Sequence, residues 1–148
     1  MTRTTAALLA ASLLGGCTSL GPFCFAPSSV DRLDLLATPD ANRDAATAID
    51  VVFALDAATA DVLEPLDAAT YFASHRARIV QNPSRALVRS WEVAPGQSLQ
   101  EPLDPPCGPA GTYVFVGHQG PDEFRFALPP ASRLQVVIGR DDVEVATE

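Results

Sequence analysis

Apolar and polar residues alternate along most of the chain after residue 30, with the period of a half-buried β-strand. The clearest run is Ile49-Asp50-Val51-Val52-Phe53-Ala54-Leu55, in which every second side chain is apolar and would point to one face. The strand candidates, listed in chain order, are 30–38, 49–55, 87–93, 98–103, 112–117, 124–128, 134–138 and 143–145. Turn residues separate most of them, so the pattern predicts seven or eight short strands.

The hydrophobic period changes between Asp56 and Asn82, where the spacing becomes helical. Residues 57–63 are compatible with a helix, and Asp67 is placed to cap a second helix that runs to Val80. The apolar stripe of the second helix comprises Ala68, Phe72, His75 and Ile79. Packing on the sheet is the favoured role of this stripe, with partner binding as the alternative.

Strands that are not separated by helices, apart from one insertion, argue against βαβ units. The sequence therefore predicts a mainly β fold, a two-sheet β-sandwich formed by residues 30–148, with a short helical insertion at about residues 57–81.

The first 16 residues have the pattern of a signal peptide: Arg3, an apolar run from Ala6 to Leu14, and then small residues. The run is far shorter than the roughly 20 residues of a membrane-spanning helix. Leu14-Gly15-Gly16-Cys17 resembles the lipobox of bacterial lipoproteins. The resemblance implies cleavage before Cys17, a diacylglyceryl group on its thiol and an acylated amine. Three acyl chains would anchor the protein stably, leaving residues 17–29 as a lipidated tether.

The net charge of −8 argues against nucleic acid as a partner. If Cys17 carries lipid, then Cys24 and Cys107 remain, and an even pair in an oxidising compartment suggests a disulfide. Two separately buried free thiols are the alternative reading, because sequence alone does not give their distance.

The chain shows little sign of catalytic or metal chemistry. His75 and His118 are its two histidines, and neither belongs to a ligand cluster. We expect His75 to be a half-buried packing residue and His118 an exposed loop residue. Patterns for a serine nucleophile or a phosphate-binding loop are missing. We therefore expect no metal and no cofactor apart from the covalent lipid on Cys17, and we expect that the protein is not an enzyme.

The order of features resembles the TssJ/VasD-like lipoproteins of the type VI secretion system. A lipobox precedes a strand, a loop that contains Asn42, a second strand at 49–53, a helix with Tyr71-Phe72, and Val93-Ala94-Pro95-Gly96. The resemblance implies a transthyretin-like sandwich anchored at the periplasmic face of the outer membrane. Thr18 agrees with that location, since Asp after the lipidated Cys retains enterobacterial lipoproteins at the inner membrane.

In that family the domain binds the periplasmic part of the inner-membrane protein TssM, and the loop between the first two strands contributes much of the contact. By position this loop is 39–48 here, with Asn42, Arg43 and Asp44 as its expected exposed polar residues. The family commonly has Asn-Pro where this chain has Asn42-Arg43. The resemblance predicts a structural component of the secretion membrane complex that docks a TssM-like partner. The alternatives are another non-enzymatic envelope lipoprotein (a pilotin, assembly factor or immunity protein) or, less favoured, an envelope hydrolase.

Overall fold

The computed structural model describes residues 30–120 and 124–148. The strands in these residues are β1 (Arg32–Ala37), β2 (Thr47–Ala54), β3 (Ala86–Val93), β4 (Ser98–Pro102), β5 (Gly111–Gly117), β6 (Arg125–Ala127), β7 (Arg133–Ile138) and β8 (Val143–Thr147). Each of them overlaps a run that the alternation of apolar residues predicts.

The eight strands form two four-stranded sheets, with strand order β4-β1-β7-β8 in sheet A and β3-β2-β5-β6 in sheet B. All neighbours are antiparallel except β1 and β7, which run parallel. The predicted mainly β, two-sheet sandwich is confirmed.

The core lies between the sheets and is built from alternate residues of each strand. Ile49, Val51 and Phe53 of β2 are fully buried there, as are Leu33 and Leu35 of β1. Burying one such side chain contributes about 1.5–3 kcal/mol to stability. The alternation therefore positions the strands as the sequence predicts.

Much of the outer face of sheet B, at β2 and β5, is also buried, because the helical segment covers it. This segment consists of α1 (Ala57–Leu63), α2 (Ala68–Thr70), a π-helical turn (Tyr71–His75) and α3 (Arg76–Val80). Because both of its faces are buried, β2 reads as a nearly continuous apolar run.

Asp56 and Asp67 cap α1 and α2. The Asp56 carboxylate accepts a hydrogen bond of 2.7 Å from the Thr59 N–H, and Asp67 accepts one of 2.6 Å from the Thr70 N–H. These backbone hydrogen bonds lower the pKa of both carboxyl groups. The predicted cap at Asp67 is confirmed.

The predicted apolar stripe is only partly correct. Within residues 68–80 the one fully buried large side chain is Tyr71, which the stripe omits, while Phe72 and Ile79 are only partly buried. The π-helical turn adds a residue to one turn of the helix and so shifts the face that meets the sheet. The prediction assumed a constant helical period, and it therefore placed Phe72 on the buried face in place of Tyr71.

The sandwich has two distinct ends. The connections after β1, β3, β5 and β7 lie together at one end, where the N–H of Gly96 donates to the carbonyl of Thr38 over 2.9 Å. The start of β1 and the C-terminus lie at the other end, since the Ser132 N–H donates to the Glu148 carbonyl over 2.7 Å. Six strand residues at about 3.3 Å each separate the ends by roughly 20 Å.

The expected signal peptide (1–16) and tether (17–29), with Cys17 and Cys24, lie outside the described residues. Within the described ranges, no helix combines the length and apolar character required to span a bilayer.

Candidate functional site

The connection between β1 and β2 contains an unusual backbone turn. It runs through residues 38–46, two residues shorter at its end than predicted, because Thr47 and Ala48 already belong to β2. Asn42, Arg43 and Asp44 have φ angles of +49°, +55° and +66°, so three consecutive residues other than glycine are left-handed. This conformation costs roughly 1–2 kcal/mol per residue, with Asn and Asp the most tolerant. Such a strained turn persists only when surrounding contacts fix it.

Asn42 supplies those contacts. Its Oδ1 accepts a 2.7 Å hydrogen bond from the Gln119 N–H, and its Nδ2 donates to the Ala46 carbonyl over 3.2 Å. Its own N–H donates to the Gly139 carbonyl over 2.9 Å. Asn42 is only 1% exposed, so the prediction that it is an exposed loop residue is wrong. The side chain is buried because all of its hydrogen-bonding partners lie inside the loop cluster.

Arg43 and Asp44 are exposed, as predicted. The Arg43 Nε lies 2.8 Å from the Asp141 Oδ1, in the connection between β7 and β8. This hydrogen bond lowers the pKa of Asp141. The pair is about half exposed, at 49% for Arg43 and 57% for Asp141. It therefore presents one positive and one negative group side by side on the surface.

His118 joins the same cluster from the end of β5. Its Nδ1 accepts a 2.8 Å hydrogen bond from the Gly120 N–H, and its Nε2 lies 3.2 Å from the Gly139 carbonyl. The ring also packs edge-on against Phe124, with centroids 4.8 Å apart. The prediction of an exposed loop residue is only partly right, since His118 is half-buried. It braces the loops that Asn42 also joins.

A second polar cluster lies beneath the helical segment, and no pattern in the sequence predicted it directly. Asp50 points from β2 toward the helices and is 1% exposed. Its Oδ2 accepts hydrogen bonds from the Tyr71 hydroxyl at 2.8 Å and from the Arg76 Nε at 2.7 Å. The Arg76 Nη2 also donates a hydrogen bond of 3.1 Å to the Ser90 hydroxyl. A single polar residue in the apolar run 49–55, followed by Tyr71 and Arg76, is the only sequence signal for this cluster.

The charge states of Asp50, Tyr71 and Arg76 indicate that this second cluster holds the helices on the sheet. Burial and the neighbouring Asp50 carboxylate raise the pKa of Tyr71, and the hydrogen bond to Asp50 raises the pKa of Arg76. Tyr71 therefore stays neutral and Arg76 charged at ordinary pH. The ring of Tyr71 also stacks on Phe115 with centroids 4.0 Å apart. The carboxylate is fully engaged as a structural anchor.

Cys107 lies in the connection between β4 and β5, at the end where β1 starts, and it is disulfide-bonded. The predicted pairing with Cys24 remains a prediction, because Cys24 lies outside the described residues. Among residues 30–120 and 124–148, no three His, Cys, Asp or Glu side chains are grouped to hold a metal ion.

No protein-family model matches this chain, and no curated protein matches it by sequence. Solved structures do match it. A chain of a type VI membrane complex is 13% identical with a TM-score of 0.59, over 80% of this chain and 99% of that one. The type VI lipoprotein TssJ1 from Pseudomonas aeruginosa is 13% identical with a TM-score of 0.58, over 82% of this chain and 97% of that one.

A third match is to a chain in the structure of the C-terminal domain of the type VI protein TssM from EAEC. It is 16% identical with a TM-score of 0.55, over 79% of this chain and 100% of that one. These identities are low, so the likeness is one of fold. At that level the resemblance predicted from the sequence is confirmed: the chain has the fold of the TssJ lipoproteins of the type VI secretion system.

Proposed function

We propose that this protein is a lipid-anchored, non-enzymatic component of a type VI secretion membrane complex, which docks the periplasmic part of a TssM-like subunit. The observation that carries the proposal is the left-handed turn at Asn42–Asp44, fixed by a buried Asn42 in the loop that the resemblance assigns to TssM binding. Strained backbone of this kind is concentrated at functional sites.

The comparisons support the proposal without testing the docking. The solved structures with this fold include a type VI membrane complex and a structure of the TssM C-terminal domain. In both, nearly the whole of the matched chain corresponds to residues of this protein.

The two ends of the sandwich suit an anchored docking protein. The tether would enter at Val30, at the end opposite the left-handed turn. A lipid on Cys17 would then fix one end near the inner surface of the outer membrane. The loops would project at least one strand length, roughly 20 Å, away from the tether end into the periplasm.

The lipid anchor can be tested by Cys17→Ser. We expect the wild-type protein to incorporate labelled palmitate and to fractionate with outer membranes. The variant should be unlabelled and soluble in the periplasm. A Cys17→Ser protein that stays in the outer membrane and still supports secretion would contradict the anchoring role.

We also propose that Cys107 pairs with Cys24. Cys107 is disulfide-bonded, and lipidation of Cys17 would leave Cys24 as the remaining thiol. The Leu103 N–H donates to the Asp31 carbonyl over 2.8 Å, so the connection that contains Cys107 lies beside the start of β1. Peptide mapping under non-reducing conditions should recover a Cys24–Cys107 linked pair, and any other linkage would refute the assignment.

Docking is tested with the full-length protein in detergent and the purified periplasmic domain of a TssM-like protein encoded with it. We expect the wild-type protein to retain this domain and Arg43→Ala/Asp44→Ala to lose most of it. The matched control is Arg78→Ala/Asp61→Ala, which removes the same two residue types from the helical segment. Failure of the wild-type protein to bind would overturn the proposal.

A further inference from the structure

Three connections at the loop end are joined into one unit by partly buried hydrogen bonds. We call them the loop platform and define it as residues 38–46, 117–120 and 139–142. Asn42 links the first connection to the second through the Gln119 N–H and to the third through the Gly139 carbonyl. His118 links the second to the third through the same Gly139 carbonyl. None of the three can move far without breaking one of these hydrogen bonds.

The exposed charged groups of the platform come from two different connections. Arg43 lies in the first, Asp141 lies in the third, and they are joined by a hydrogen bond of 2.8 Å. A partner that contacts Arg43 would therefore also meet Asp141. A surface built from the β1–β2 loop alone would not include this carboxylate.

The charge of the platform indicates the chemistry of the partner. With His118 counted as neutral, the charged residues are Asp40, Asp44, Asp141 and Asp142 against Arg43 and Arg140, an excess of two negative charges. The whole chain is also negative, at −8. Complementary potentials favour a contact patch that is basic overall, and they disfavour a second copy of this acidic chain.

We infer that the docking surface is the whole loop platform, with Asn42 as its positioning residue and Asp141, which Arg43 holds in place, as its contact group for a basic patch on the partner. This inference rests on the proposed function and adds the partner's chemistry and two connections to the docking site. Asn42 acts through the turn that it holds, since its own side chain is buried. The free-energy cost of the left-handed turn falls on folding and not on binding, so the partner binds a turn that is already formed.

The test measures affinity for the TssM-like periplasmic domain at two salt concentrations, using full-length protein in detergent. Asp141→Asn removes one negative charge without adding bulk. We expect affinity to fall by about threefold to tenfold and to depend less on salt. The matched control is Glu64→Gln, which neutralises the exposed acid of another ion pair, 3.6 Å from Arg125. That variant should bind like the wild-type protein.

Asn42→Gly tests the positioning role, because glycine tolerates the left-handed backbone while losing both side-chain hydrogen bonds. We expect affinity to fall at least about tenfold in a protein that still unfolds cooperatively. When Asn42→Gly is combined with Asp141→Asn, the fold-loss in affinity should be smaller than the product of the two single fold-losses, because both substitutions act on one surface. A purely structural role for Asn42 would give independent effects.

The outcomes separate the two proposals. If the wild-type protein does not bind the TssM-like domain, the proposed function fails. If it binds, and Asn42→Gly and Asp141→Asn bind equally well, the platform inference fails while the proposed function stands. Stronger binding of Asp141→Asn would show that the partner surface is acidic and would also overturn the inference.

Discussion

Asp50 and Asn42 are both buried polar residues that join segments distant in sequence, but they differ in charge, partners and backbone. Asp50 is a charged side chain on a regular strand, and the side chains of Tyr71 and Arg76 neutralise and cover it. Asn42 is neutral, lies in a left-handed turn, and binds mainly backbone groups of other loops. The first cluster holds a layer of helices on a sheet, whereas the second holds a surface in shape.

The difference suggests how buried polar residues that support the fold can be told from those that support a binding surface. None of the three residues Asp50, Tyr71 and Arg76 has a left-handed backbone, and removal of the Asp50 cluster should affect stability alone. The Asn42 cluster stabilises a turn that costs free energy to form. A feature that costs stability and persists is better explained by function than by folding.

Arg76→Ala should produce the largest change in stability. It leaves a carboxylate that is 1% exposed with only the Tyr71 hydroxyl as a side-chain partner. Removing one member of a fully buried ion pair costs about 3–5 kcal/mol. The Arg76 side chain is 42% exposed, so solvent screens part of this interaction and we expect a cost of about 2–3 kcal/mol. We expect a free energy of unfolding lower by that amount in chemical denaturation, with affinity for the TssM-like domain unchanged below the unfolding transition.

The matched control is Arg78→Ala, two residues further along the same helix, where the guanidinium only reaches the Ser74 carbonyl over 3.3 Å. Its cost should stay below about 0.5 kcal/mol. Equal costs for the two variants would show that the Asp50 cluster does not hold the helices.

Tyr71→Phe should have an intermediate effect that depends on pH. It keeps the ring that stacks on Phe115 but removes the hydroxyl that donates to Asp50, at a cost of about 1–2 kcal/mol. Because burial raises the pKa of Tyr71, the unfolded chain loses this proton first. The stability that Tyr71 provides is complete below about pH 10 and is lost progressively as pH rises further.

The difference in unfolding free energy between wild type and Tyr71→Phe should therefore narrow above about pH 10. Tyr113 titrates in both proteins, so its contribution cancels in the comparison. A difference that stays constant from neutral to alkaline pH would contradict the assigned role of Tyr71.

The contrast between the two clusters also marks the limit of sequence reasoning. The strands were predictable because Leu33, Leu35 and the 49–55 run carry a period of two, which burial on one face enforces. The π-helical turn was not predictable, since one extra residue per turn leaves no mark on composition. Burial of Asn42 was missed because its partners are backbone groups of loops roughly 80 and 100 residues away, which no local pattern encodes.

Asp44→Gly should stabilise the protein slightly. Glycine adopts the φ of +66° without steric cost, and we expect a gain of about 0.5–1 kcal/mol in unfolding free energy. If the turn is shaped for a partner, the same variant should bind the TssM-like domain more weakly, because Asp44 is lost from the exposed surface.

Asp104 provides the matched control, since it has a φ of +46° at the opposite end of the sandwich. Asp104→Gly should give a similar gain in stability with no change in binding. If both glycine variants bind as the wild-type protein does, the side chain of Asp44 takes no part in docking.

Asp141→Asn should have the smallest effect on stability, confined to a range of pH. The hydrogen bond from Arg43 lowers the pKa of Asp141 below its ordinary value of 3.8, so the carboxylate stabilises the fold at pH above that value. This contribution is lost as pH falls through the folded pKa. The small stability difference between wild type and variant at about pH 6 should thus shrink as the pH falls below 3.8, as measured by thermal unfolding. Asp141→Asn should change the affinity for the TssM-like domain more than it changes stability, because this exposed pair contributes little to the fold but faces the partner. If Asp141→Asn changes affinity and barely changes stability, the loop platform serves binding. If Arg76→Ala changes stability and leaves affinity unchanged, the Asp50 cluster serves the fold.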